Sequence, residues 1–170
     1  MDILPEWLEA PWLVSVFRAG LLALASLLAS RLVRGVLARV LEGISRRTHT
    51  AFDDALLRRG VARPLGRLAA MLVLAGGAGL LSGLPDWGVA ALRQVALALV
   101  AVFAMLALNV ALGALDDAYQ ARPENREHSI KGYVQLARIL IFVAGLIVAI
   151  AVLVDRSPLA LLAGLGAVSA

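Results

Sequence analysis

At 170 residues, 61% hydrophobic and 16% charged, with a mean hydropathy of +0.87, the chain is far more apolar than a soluble domain, in which about a quarter of residues are charged. One soluble core of this size cannot hide so many apolar side chains. The composition therefore points to an integral membrane protein and excludes a disordered chain, a disulfide scaffold and a secreted enzyme. The net charge of +4 rests on fifteen arginines and one lysine, Lys131. In a membrane protein their placement matters more than their sum, and no nucleic-acid partner is expected.

Residues 1–11 form a predicted outer segment carrying Asp2, Glu6 and Glu9 and no basic residue. This is the reverse of a signal-peptide start, so the apolar stretch that follows is expected to be a retained helix. A bilayer core needs about 20 apolar residues in helical form. Four such segments are predicted, with the start of a fifth. They run from Trp12 to Ser30, Leu65 to Leu84, Val89 to Leu115 and Tyr133 to Val154, and then from Pro158 to Ala170. None alternates with period two, so the expected fold is all-α and polytopic. Residues 12–119 hold the first three helices and a basic cytoplasmic extension. Residues 120–132 connect them to the fourth helix, 133–154, and 158–170 begin the fifth.

The extension follows the first segment. Val33, Val36, Leu37, Val40, Leu41 and Ile44 recur at helical spacing, while Arg31, Arg34, Arg39, Glu42 and Arg46 fill much of the remaining wheel. The pattern predicts that the helix continues to Arg47, roughly 54 Å from its start. Two readings stay open. In one, Arg31, Arg34, Arg39, Arg46 and Arg47 rest on anionic headgroups; in the other, the extension packs on another helix of the protein. Rows of small residues at four-residue spacing, Ala75/Gly79/Gly83, Ala107/Ala111 and Gly145/Ala149, predict close helix packing.

Alternate connections carry twelve basic residues against one, which puts the N-terminus outside and both long connections in the cytoplasm. Trp7, Trp12 and Trp87 then fall at the outer interface. Arg18, Arg67, Arg93 and Arg138 lie near predicted helix ends, where long stems snorkel to the headgroups; the alternative is a salt bridge or a lipid-phosphate contact. Asp53-Asp54 and Asp116-Asp117 read as solvated charges, and His49 and His128 as surface histidines, because no further ligand or catalytic motif accompanies them. With no cysteine, no phosphate loop and no nucleophile elbow, neither catalysis nor a metal or cofactor is expected.

Ser157-Pro158 is a helix start. On the wheel of the helix that follows, Ala160, Ala163, Gly164, Ala167 and Ala170 share one arc of about 120°, with Gly166 beside it and Leu161, Leu162, Leu165 and Val168 opposite. A smooth face of this kind lets identical helices crowd around an axis; a tight two-helix contact would explain it as well. At about 20 Å the segment is too short to cross a bilayer, and the chain is expected to be part of something longer.

The run Ser129-Ile130-Lys131-Gly132-Tyr133-Val134-Gln135, the apolar helix after it, Ser157-Pro158 and Gly164-Leu165-Gly166-Ala167 together resemble the last two membrane helices of the MscS superfamily of mechanosensitive channels. The nearest branch is the YbdG-like, mini-conductance type. The resemblance is specific over Ser129–Ala170 and holds only at the level of layout over Trp12–Asp117. It implies an inner-membrane ion channel acting in osmotic downshock. It further implies a ring, typically a heptamer, passing ions and small solutes, with Pro158–Ala170 as the start of the pore-lining helix. The alternatives are a membrane scaffold or transporter subunit without a pore, and, least supported, an intramembrane enzyme.

Overall fold

The computed structural model describes residues 11–48, 51–81, 84–121, 130–159 and 163, and among them only helices and turns occur. Helix α1 runs unbroken over Pro11–Thr48, 38 residues, or about 57 Å. Proline suits its first position, where the missing N–H has no partner to lose. The amphipathic stretch after Ser30 is thus continuous with the apolar one before it. Helix α2, Ala51–Arg59, carries Asp53 and Asp54 in its first turn and Arg58 and Arg59 in its last. Each sign sits at the end of the helix dipole that favours it.

Gly60 closes α2 with φ +68°. Its N–H donates to the Leu57 carbonyl (3.0 Å) and the Val61 N–H to the Leu56 carbonyl (3.3 Å), the paired bonds of a Schellman cap. Helix α3, Ala62–Gly77, leaves this turn bent by 63° from α2 and tightens into a 3-10 turn at Ala78–Leu80. Helix α4, Asp86–Gln120, begins after Pro85 and has 35 residues. Helix α5, Lys131–Leu153, has 23 and ends like α2. Asp155 takes φ 53°, with bonds from its N–H to Val152 (3.2 Å) and from the Arg156 N–H to Ala151 (2.9 Å). The two caps predict opposite responses. Gly60→Ala should cost about 1 kcal/mol, because alanine resists the left-handed backbone, and Asp155→Gly should gain up to about 1 kcal/mol. Unfolding by SDS titration in mixed micelles reads both; equal signs would mean that the caps are not as described.

The helices form an antiparallel row: α1 packs on α3, α3 on α4 and α4 on α5, while α2 bridges α1 and the C-terminal part of α4. Contacts fix the register. A Cβ on Gly77 would strike Leu22, one on Gly66 would lie 2.8 Å from the Ser30 carbonyl, and one on Gly145 would lie 2.9 Å from Met105 Cβ. Non-neighbouring helices share no comparable interface, so the row is open rather than closed into a bundle. Its contacts are made by small residues. Ala55, Ala78, Ala114 and Ala151 are wholly buried, and no large side chain is. The bulky apolar residues point outward, among them Phe17 (72% exposed), Leu32 (66%) and Leu140 (61%). Such an arrangement is unstable in water and suits lipid, where close backbone packing drives helix association.

Of the predicted small-residue rows, Gly145/Ala149 and Ala107 lie at helix contacts. Ala75 is buried, but Gly79 faces open space. Among the described residues three helices, α1, α4 and α5, are long and apolar enough to cross a membrane, and the number rises to four if the bent α2–α3 pair counts as one span. Four complete spans were expected. The difference lies in α3, whose 16 residues reach only about 24 Å against a core of about 30 Å.

Candidate functional site at the arginine-rich end of the row

The C-terminal ends of α1, α2 and α4 and the N-terminal ends of α3 and α5 meet at one end of the row. The Gly60 cap decides what gathers there. It ends α2 just after Arg59 and starts α3 so that Arg63 and Arg67, one turn apart, follow on the same side. Helix α4 contributes Asn109, Gly113 and Asp117 at four-residue spacing, and hence as one stripe. Helix α5 brings Arg138. Arg59 grips Asp117 with two bonds, Nε donating to Oδ2 (2.6 Å) and Nη2 to Oδ1 (2.8 Å). This forked geometry is the stronger form of an arginine–carboxylate pair.

Gly113 makes room for both guanidinium groups. A Cβ there would lie 2.6 Å from Arg59 Cζ and 3.0 Å from Arg138 Nη2. The Nε of Arg138 is buried and has no hydrogen-bond partner. The Arg67 guanidinium stands 5.9 Å from the centre of the Phe103 ring, at the outer range of a cation–π contact. Asn109 Nδ2 donates to the Met105 carbonyl (3.1 Å), and Asp116 accepts a bond from Gln120 (2.6 Å). Arg59, Gly60, Arg63, Pro64, Arg67, Asn109 and Arg138 line an open cavity of about 570 Å³, with Leu106 and Val110 as its apolar wall.

The residues expected to touch lipid lie beside this cluster. Arg31, Arg34 and Arg39 are exposed on α1, and Arg34 also reaches inward, donating to Ser30 Oγ (2.7 Å). Ala38 and Leu41 face Leu56, Leu57 and Val61 of the α2 region across a small cavity. The extension thus packs on protein along its apolar stripe, with Arg34 at the edge of that contact and Arg31 and Arg39 exposed. Arg46 and Arg47 belong to the last turns of α1, and their side chains lie outside the described residues. Pro158, Leu159 and Ala163 are helical, Ala163 being exposed. Ala160, Gly164, Gly166, Ala167 and Ala170, and with them the expected smooth face, lie outside the described residues, as do His49 and His128.

Asp117, expected from sequence as a solvated charge, is ion-paired with Arg59, and Arg138 lies against Gly113 of α4 with its Nε buried. Nothing local could have joined Arg59 to a partner 58 residues away. The cap at Gly60 did leave a signal, since two arginines followed by glycine mark a helix C-terminus. Ser26 and Ser30, buried at four-residue spacing against α3, are another small-residue row that the sequence displayed.

These features define an all-α chain with several helices able to span a membrane, the architecture of a multi-pass membrane protein. No family model, curated protein or solved structure matches it.

Proposed function

We propose that the chain is the transmembrane portion of a tension-gated ion channel of the MscS type, in its YbdG-like branch, acting in osmotic downshock. It sits in a bacterial inner membrane with the N-terminus outside, assembles as a homo-oligomeric ring, by resemblance a heptamer, and uses no cofactor. The observation that carries this reading is the open row. Helices that pack only along the row, α1 on α3, α3 on α4 and α4 on α5 with α2 bridging α1 and α4, and that leave bulky apolar side chains exposed, offer lipid a broad paddle in place of a compact bundle. Stretching the bilayer favours whichever arrangement occupies more membrane area, and that difference is the free energy available for gating. The clustering of arginines at one end supports a cytoplasmic placement of that end. The turn at Val154-Asp155 after α5, with helix resuming at Pro158, fits the entry to a pore helix.

The test is electrical. Suction on membrane patches holding the full-length protein should evoke current, and Ala167→Leu, on the smooth arc of the wheel, should shift the threshold tension far more than Leu161→Met. Intact, assembled protein that stays silent up to membrane rupture would favour the scaffold reading.

A further inference from the structure

The arginine-lined cavity lies apart from the expected pore face, and its geometry points to a ligand. Four guanidinium groups, those of Arg59, Arg63, Arg67 and Arg138, come from α2, α3 and α5 to one space of about 570 Å³. One carboxylate, Asp117, holds one of them, Arg59. Around this cavity the cationic charge exceeds what the described ion pair neutralises. Arg138 has in addition a buried Nε with no partner, a group that is costly to leave unsatisfied. A phosphate would supply what the cavity lacks: negative charge spread over several oxygens, matched to planar guanidinium donors.

The depth and the walls choose between sources of phosphate. Arg138 stands seven residues into α5, about 10 Å along the helix, with apolar residues on both sides of it. Leu106 and Val110 carry the wall of the cavity onto the apolar surface of α4, where Leu106 is exposed. A soluble ion would use the arginines and leave that wall uncovered. A phospholipid would use both, its phosphate among the guanidiniums and its acyl chain along α4. Basic pockets between membrane helices bind anionic headgroups in this way. We propose that the cavity is a binding site for the phosphate of an anionic phospholipid, held by Arg63, Arg67 and Arg138, with Arg59 positioned by Asp117. The site requires only that the helices lie in a membrane and does not depend on the chain forming a channel.

The experiment uses full-length protein in detergent, titrated with dioleoyl-phosphatidylglycerol, dioleoyl-phosphatidylcholine or inorganic phosphate, with bound lipid counted by native mass spectrometry. Wild type should retain phosphatidylglycerol in preference to phosphatidylcholine, and inorganic phosphate should displace it poorly. Each of Arg63→Gln, Arg67→Gln and Arg138→Gln should weaken retention about fivefold. The triple variant should retain the two lipids alike. Arg156→Gln, exposed beyond the far end of α5, should change retention less than twofold. Circular dichroism and gel filtration identify variants that keep the fold. Should the triple variant prove unfolded, the single variants decide alone. A folded triple variant with the wild-type preference overturns the site. Displacement by millimolar inorganic phosphate overturns the lipid in favour of a soluble anion. The outcome is distinct from a silent patch recording, which would remove the channel and leave this site intact.

Discussion

Gly66→Val should lower the stability of the folded protein by about 1–3 kcal/mol, the range for overpacking a dense contact. A Cβ at this position would lie 2.7 Å from Arg34 Nε and 2.8 Å from the Ser30 carbonyl oxygen. Arg34 can swing away, but the carbonyl belongs to the backbone of α1, so relief requires the two helices to part. That separation would also expose Ser26 and Ser30, which are buried in the same seam. Gly20→Ala provides the contrast. Gly20 also lies within α1, yet a Cβ there meets nothing within 4 Å, and alanine should stabilise the helix by about 0.5–1 kcal/mol. SDS titration monitored by helicity measures both. If the two substitutions act alike, α1 and α3 do not meet at Gly66.

Asp117→Ala should have the next largest effect. The guanidinium groups of Arg59 and Arg138 both reach the space over Gly113, so they stand within roughly 6 Å of each other, where like charges repel by about 3 kcal/mol at an effective dielectric of 20. Asp117 offsets this repulsion. Because Arg59 and Asp117 are each 36% exposed, water screens much of the interaction, and the expected net loss is about 1 kcal/mol. Removing Arg59 as well should restore part of the stability, since the repulsion goes with it. A double-mutant cycle across Arg59 and Asp117 isolates this coupling. A coupling near zero would mean that the pair is held by its surroundings and contributes nothing of its own.

What the sequence made legible was whatever repeats along a helix. The apolar lengths located α1, α4 and α5. The alternation of valine and leucine with arginine after Ser30 announced that α1 would continue. The four-residue spacing of Gly145 and Ala149 announced close packing, and Met105 now sits against it. The second span was less legible. Leu65 to Leu84 reads as one apolar run, but Gly76-Gly77 and the tightened turn after them end the α-helix early. The arginine cluster was illegible for a different reason. Arg67 and Arg138, taken alone, look like snorkelling side chains at helix ends, and Arg59 and Arg63 like charges of a basic connection. Only the order of packing, α2 on α4 and α4 on α5, brings Arg59, Arg63, Arg67 and Arg138 to one cavity. Packing order is set by which small faces fit which, and single residues do not state it.

The unbroken length of α1 has a mechanical consequence. A helix of 38 residues without an internal proline behaves as a stiff rod about twice as long as the bilayer core is thick. When a membrane thins, a spanning helix answers by leaning over. A lean of about 10° about its midpoint displaces each end of a rod of about 57 Å by about 5 Å. The N-terminal part of the rod would be steered by lipid, while its C-terminal part carries α2 alongside. A change of bilayer thickness acting on the N-terminal half of α1 would thereby become a sideways shift of a helix that holds on to α4.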